Sequence, residues 1–361
     1  MLTEEQINEI KEHLEKAQKP LFYYDNDADG LCSYVLLKRF YNKGRGVAIR
    51  SFPGLNKNYA RKVKELNADY VFILDKPTVE LDFFKELMEI GIPVVWIDHH
   101  DVKESNTDEL KEKFDNLFVY NWSKNKGMEK SDEPVTYWIY KVLEKKEDLW
   151  IALVGCISDH YLPDFSHDFS KEFPDLWKKG IKEPFDALFE TEIGKIAEAF
   201  NFGLKDSTTN IVKFQNFLCS VKFPKDVFEE TNKNYEFRKK YRDIKKKFDV
   251  LIEKASREIE NNLLFFSYGG DLSISSEVAN KLSHRFKDKF IVVIYRKEGV
   301  SNVSIRGKKA KKILEKILEK NELENASGGG HEDAVGARIK TDDIAKFKEL
   351  IEKEINNYRE F

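Results

Sequence analysis

The chain has few cysteines, few glutamines and no long apolar run. Cys32, Cys156 and Cys219 are its three cysteines in 361 residues, far apart and with no CxxC pair. That spacing argues against a disulfide framework or a zinc finger and fits a reducing cytosol, so a cytoplasmic setting is expected. Gln occurs only at positions 6, 18 and 215, while Lys and Glu abound, a balance found in heat-adapted proteins and under AT-rich coding. No stretch approaches the roughly 18 apolar residues of a membrane span, so no membrane partner is expected. The N-terminal MLTEEQINEIKEHLEK is acidic and amphipathic, unlike a secretory signal. An excess of positive charge is also missing. Lys plus Arg number 61 against 64 Asp plus Glu, a net charge of -3, so bulk charge alone does not point to nucleic acid.

What is present is ample core material. Hydrophobic residues supply 41% of the chain, with 27 Phe, which excludes wholesale disorder. The length predicts two domains. In the first half, short apolar runs alternate with helical patterns: PLFYYD, LCSYVLLKRFYN, VAIRSF, KNYARKVKELN, YVFILD, VELDFFKELMEIG, VVWIDHH. This pattern predicts βαβ units and a parallel sheet. LFVYN (117–121) reads as one more strand, and PVTYWIYKVLEKKEDLWIALVGCISDH as two helices, the second ending near Ser158. Residues of about 165–230 are helical but interrupted by Pro174, Pro184 and Pro224. Residues 235–262 lack Gly and Pro and read as one long connector helix. Beyond it LLFFSY, FIVVIY and SNVSIRG are predicted strands among three more helices.

Acidic and His clusters follow the predicted strand ends, where open α/β sheets bind ligands. Asp25, Asp27 and Asp29 form a D-x-D-x-D-G run. If the chain stays extended there, all three carboxylates project to one side, and a divalent cation would relieve their repulsion; the alternative is a solvated turn closed by Gly30. Asp75 ends YVFILD and, in isolation, reads as a helix N-cap with Pro77 near the first turn. Asp98-His99-His100 ends VVWIDHH, with side chains that suit manganese, zinc or iron. Asp159-His160 closes a helix, where the helix dipole disfavours an Asp unless a cation is near. Two metals sharing Asp75 would clamp a phosphoryl group, lower the pKa of a bound water and stabilise a leaving oxygen.

Taken in order, these clusters resemble the four motifs of the DHH phosphoesterase superfamily. Gly328-Gly329-Gly330-His331 with Ala334-x-Gly336, preceded by Ser304-Ile305-Arg306, resembles the associated DHHA1 domain. The motifs span positions 25–336, nearly the whole chain. The first motif is similar to the RecJ branch rather than the pyrophosphatase branch, and Asp75-Lys76-Pro77 resembles archaeal RecJ-like nucleases. The resemblance implies an α/β fold with an N-terminal parallel-sheet DHH domain over 1–234, including a helical insert at about 165–230, then a connector helix over 235–262 and a smaller C-terminal α/β DHHA1 domain over 263–361.

It also implies roles. Asp27 would bind one manganese ion and Asp29 a second, with Mg2+ or Co2+ as substitutes. Asp75 would bridge them, and His99 and Asp159 would complete the ligands. Asp25 would support the metal site. Asp98 would back the catalytic residues Asp75 and His100, the latter facing the substrate phosphate. His160, Ser304, Arg306, Gly328, Gly329, Gly330 and His331 would bind substrate; a glycine run lets backbone N–H groups approach a phosphate closely. Relatives usually carry a metal-binding His where this chain has Tyr23, so either Asp25 substitutes or that metal site is weaker.

The implied activity is a manganese-dependent exonuclease on single-stranded DNA or RNA, releasing mononucleotides, with 3′-to-5′ polarity favoured by analogy with small archaeal relatives. A phosphodiesterase for short oligonucleotides, cyclic dinucleotides or small phosphoesters keeps the same chemistry. A replisome-associated binding protein is the alternative of another class, and an active nuclease that also docks a helicase or replisome protein is compatible with the sequence. Lys308, Lys309, Lys311 and Lys312, and RKKYRDIKKK (238–247), are either strand contacts or solvated helix faces.

Overall fold

The computed structural model describes residues 2–50, 53–100, 107–125 and 132–357. The last two residues of the VAIRSF strand and Tyr358 of the final predicted helix lie outside the described residues. The chain divides into two compact units, Met1–Tyr241 and Arg242–Phe361.

In the first unit, α1 (Glu4–Lys16) is capped by a reciprocal pair of hydrogen bonds between Thr3 and Gln6 and buries Ile10 and Leu14. Strands and helices then alternate through β1 (Pro20–Asp25), α2 (Ala28–Tyr41), β2 (Arg45–Ile49), α3 (Lys57–Glu65), β3 (Tyr70–Leu74), α4 (Leu81–Ile90), β4 (Val94–Ile97), α5 (Thr107–Lys113) and β5 (Leu117–Tyr120). All five strands are parallel, in the order β2-β1-β3-β4-β5. The inner strands β1, β3 and β4 are covered on both faces, which is why each reads as a continuous apolar run, whereas the edge strand β2 is partly open. Strand pleating sorts the side chains: Phe22, Tyr24, Phe72, Leu74, Val95 and Ile97 enter one core, while Leu21, Tyr23, Val71, Ile73, Val94 and Trp96 enter the other.

The first core is filled by α2, α6 (Val135–Leu143) and α7 (Leu149–Ser158), followed by α8 (Ser166–Glu172), α9 (Pro184–Glu190), α10 (Glu192–Gly203) and α11 (Thr208–Ser220). Pro184 opens α9 rather than breaking a helix. The long helix α12 (Tyr235–Ala255) is shorter than its sequence predicts. Ile259 and Glu260 leave it to form β6 (Ile259–Glu260), which pairs antiparallel with β7 (Leu263–Tyr268). Asn261, at φ 51°, supplies the left-handed turn residue between them. Arg238 on α12 is not part of a solvated face: it is 9% exposed and donates to Asn234 and Glu230.

The second unit continues with α13 (Ser275–Arg285), β8 (Phe290–Tyr295), β9 (Val300–Arg306), α14 (Ala310–Glu319), β10 (Ser327–His331), β11 (Ala334–Lys340) and α15 (Ile344–Asn357). Its mixed sheet runs β10-β11-β9-β8-β7-β6, and only β7 and β8 are parallel. α14 and α15 bury Ile313, Leu314, Ile317, Phe347 and Ile351 against it. The glycine run is an edge strand, β10, joined to β11 by a tight hairpin at Glu332 and Asp333. Among the described residues no helix is long and apolar enough to cross a membrane.

A buried charge fixes the far end of α2. Arg39 pairs with Asp148, their side chains 10% and 1% exposed, and donates to the carbonyls of Leu218 and Val221 at the end of α11. Removing the guanidinium leaves the buried Asp148 carboxylate with Lys145 alone, 3.3 Å from Oδ2, and strands these carbonyls. Arg39→Met should therefore lower stability by about 3 kcal/mol, read from the urea unfolding midpoint.

Candidate metal centre

The register of the first sheet decides where its carboxylates fall. Tyr24 pairs with Leu74, and Leu74 with Ile97. The residues that follow, Asp25, Asp75 and Asp98, therefore stand in one row at the carboxyl ends of β1, β3 and β4, on strands about 4.8 Å apart. Backbone bonds carry the ladder past the strand ends: Asn26 N donates to Ile49 O at 3.1 Å, Asp75 N to Ile97 O at 2.9 Å and Asp98 N to Tyr120 O at 3.1 Å.

The D-x-D-x-D run does not stay extended. Asp25 ends β1, Asp27 caps α2 by accepting from Gly30 N at 3.0 Å, and Asp29 lies in the first helical turn. A Cβ at Gly30 would stand 2.5 Å from the Asp25 carbonyl oxygen, so this tight strand-to-helix turn requires glycine. The Asp29 carboxylate accepts from Val135 N at 2.9 Å and Thr136 N at 2.7 Å. These are the first two N–H groups of α6, so a helix N-terminus stabilises the charge.

Nor is Asp75 an N-cap, because α4 begins only after Glu80. Asp75 sits at φ 59°, a left-handed conformation that Asp and Asn adopt more readily than other side chains. It is 2% exposed, and its Oδ1 makes no hydrogen bond among the described residues. His99 Nε2 lies 3.3 Å from that atom and 3.4 Å from Asp159 Oδ2. Asp159 is the C-cap of α7. α7 approaches through Gly155, where a Cβ would stand 2.4 Å from Thr136 Oγ1.

Asp98 holds His100 rather than pointing at the centre. His100 Nδ1 lies 2.9 Å from Asp98 Oδ1, and Asn121 Nδ2 donates to Asp98 Oδ2 at 3.3 Å and to His100 O at 2.8 Å. The Trp122 indole donates to His99 O at 2.8 Å. Lys76 Nζ contacts Asp25 Oδ1 at 2.8 Å. His160 follows Asp159 at φ 58° and stacks on Phe185, ring centroids 4.4 Å apart.

One ligand atom each from Asp29, His99 and Asp159 lie within 4.8 Å of one another, and the same holds for Asp25, Asp27 and Asp75, and for Asp75, His99 and His100. Asp75 takes part in two of these groups. Burial and mutual repulsion raise the pKa values of four of these carboxyls, while at Asp98 burial is outweighed by the histidines beside it, which lower its pKa. Burial and then Asp25 push Asp27 up to about 6, and burial and then Asp27 push Asp29 up to about 7. Asp75 and Asp159 are raised by burial and then by Asp29 and Asp27, although a third of the Asp159 side chain, 33%, is open. Burial opposes a charge on His100, but the Asp98 carboxylate outweighs it and lifts His100 to about 9. An orphaned, buried carboxylate oxygen among crowded acids and a His fits a divalent cation of the magnesium or manganese kind.

The remaining expected site residues belong to the second unit. Strand register aligns Gly329, Gly336 and Ser304 in one row and His331, Ala334 and Arg306 two rows further on, so both rows face the same side of the sheet. Arg306 donates to Asn280 Oδ1 at 2.6 Å and to Ser276 Oγ at 3.2 Å, and burial lowers its pKa to about 10. The sequence reading missed Asn121, Trp122, Val135 and Thr136. Their signals were an Asn closing a strand and a Pro-Val-Thr opening a helix, both too common to single out.

Carboxyl pKa values raised in the folded state mean that folding takes up protons near neutrality, so stability falls as pH climbs from about 4 through 7. His100 adds to the loss between about 6.5 and 9. Calorimetric scans of the chelator-treated protein should show Tm falling between about pH 5 and pH 8, and Mn2+ should restore Tm at pH 8 far more than at pH 5. A Tm at pH 8 that ignores Mn2+ would count against a cation in this cluster.

The DHHA1 domain family matches residues 260–357. No curated protein matches the chain. Among solved structures, RecJ of Thermus thermophilus in complex with Mn2+ aligns with 98% of this chain at TM-score 0.65 and 15% identity, and the chain spans 54% of that protein. An exonuclease RecJ bound to manganese aligns over 98% of this chain and 94% of its own, at TM-score 0.60 and 15% identity. CDC45 from Entamoeba histolytica aligns over 98% of both chains, at TM-score 0.51 and 13% identity. In fold, then, the chain is similar to these RecJ structures, and its residues 260–357 match the DHHA1 domain.

Proposed function

We propose that the chain is a divalent-metal-dependent exonuclease that hydrolyses phosphodiester bonds of single-stranded DNA or RNA from the 3′ end and releases mononucleotides. The observation that carries this reading is the row of Asp25, Asp75 and Asp98 at three adjacent strand ends, closed by Asp27, Asp29, His99 and Asp159. Two ions, with Asp75 shared between Asp27 on one side and Asp29, His99 and Asp159 on the other, would offset phosphoryl charge and make water a nucleophile at neutral pH. Manganese is the proposed ion and magnesium its substitute; the Thermus RecJ has been solved with each.

The chain's own residues do the rest. Asp98 keeps His100 protonated near neutrality, and the imidazolium donates to a phosphate oxygen. In the second unit, Gly328–Gly330, Ser304, His331 and Arg306 hold the phosphate backbone of the strand. Modest net charge makes this binding depend on the site more than on bulk electrostatics.

Oligonucleotides of DNA and RNA, labelled at either end and incubated with Mn2+, should give a one-nucleotide ladder from the 5′ label. Cleavage of cyclic dinucleotide or pyrophosphate controls alone would replace the exonuclease reading with a small-substrate one. Asp75→Asn keeps shape and tolerates the left-handed backbone, and should cut turnover by ~10³-fold or more with the fold intact. His331→Ala should slow cleavage of a long strand more than that of a dinucleotide; equal losses would remove the strand-holding role of the DHHA1 domain.

A further inference from the structure

We infer that Lys76 is a built-in cation of the acidic cluster and makes its two ion positions unequal: the substrate-free protein holds one divalent ion tightly, on the Asp29–His99–Asp159 side, while the lysine ammonium partly neutralises the Asp25–Asp27–Asp75 side. This rests on the metal reading above and adds which side fills first.

Lysine is rarely buried unless it is paired. Lys76 is 4% exposed, and its ammonium lies 2.8 Å from Asp25 Oδ1. The same oxygen accepts from Asn26 N at 2.9 Å. Lys76 is also anchored through its backbone: the buried Trp96 indole donates to Lys76 O at 2.8 Å, and the preceding residue is the left-handed Asp75. The lysine is thus aimed by the strand end, unlike a mobile surface lysine. Asp27, the next acid on this side, already spends one oxygen capping Gly30 N at 3.0 Å. Tyr23 turns to the opposite face of the sheet, where its hydroxyl donates to Tyr59 O at 2.6 Å, so position 23 adds no ligand here.

On the Asp29 side the neutralising groups are different in kind. Val135 and Thr136 contribute amide N–H groups, which carry only partial charge and leave carboxylate lone pairs open to a cation. A full ammonium charge repels an incoming dication across a few ångströms of poorly solvated protein; amide dipoles do so far less. The ions therefore sort: one settles beside Asp29, His99 and Asp159, and the other binds well only together with an anionic phosphate that offsets Lys76.

The test is to strip the full-length protein of metal, titrate it with Mn2+, and count bound ions by calorimetry and by loss of the free-ion electron paramagnetic resonance signal. The wild type should bind one ion tightly and a second at least ~10-fold more weakly. Lys76→Arg should behave like the wild type, and Lys76→Met, checked for folding by circular dichroism, should bind two ions of comparable affinity. Asp29→Asn should lose the tight ion. Two equivalent ions in the wild type, a single ion in folded Lys76→Met, or a tight ion that survives Asp29→Asn would each overturn the inference. If Lys76→Met does not fold, the wild-type affinities and the Asp29→Asn titration decide alone. No Mn2+ binding by the wild type would remove the metal reading itself, an outcome distinct from wrong stoichiometry.

Discussion

Repulsion among carboxylates crowded at one sheet end is the term against which this molecule is arranged. Asp25, Asp75 and Asp98 are forced into a row by strand register, and Asp27, Asp29 and Asp159 are brought beside them by α2 and α7. Each acid that can be settled by the protein is settled differently: Asp98 by His100, Asp25 by Lys76, and Asp29 by the N-terminus of α6. What is left over is centred on the buried Asp75 Oδ1, which makes no hydrogen bond among the described residues and has the two histidines near it. Most of the surrounding architecture can be read as holding that oxygen in place: glycine where backbones must nearly touch, Asn121 and Trp122 over the two histidines, and Arg39 clamping the far end of the helix that carries Asp29.

The outline of this arrangement was legible in the sequence because parallel strands buried on both faces leave unmistakable apolar runs. YVFILD and VVWIDHH show where β3 and β4 stop, and the acid that follows each is visible at once. Backbone conformation at those acids was not legible. Asp75 reads as a cap by local rules, but pairing to β4 and the Trp96 indole on Lys76 O decide its left-handed turn, and both come from residues about 20 positions away. The three aspartates of the first run look extended until one sees that Gly30 lets the helix begin at Ala28. The partners of Asp29 lie more than 100 residues downstream, at the start of α6, and no spacing rule connects them.

The second unit shows the opposite balance. Its glycine run stands out in the sequence for its chemistry but not as a strand, because three successive glycines carry no strand propensity. Pairing with β11 makes them a strand regardless, which places Gly329 and Gly336 beside Ser304 and His331 and Ala334 beside Arg306. An edge built from glycine exposes backbone where other strands present side chains. The net charge of -3 averages over two units, the first of which gathers acids at one sheet end.

Position 75 carries two demands at once. Its charge serves the centre and its φ of 59° serves the turn, and the two are separable by a single atom. Asparagine would satisfy the backbone while giving up the anion; glycine would satisfy the backbone and give up both oxygens. Glutamate would keep the charge and strain the turn. One substitution at this position can therefore remove the charge from the centre while the turn keeps its shape.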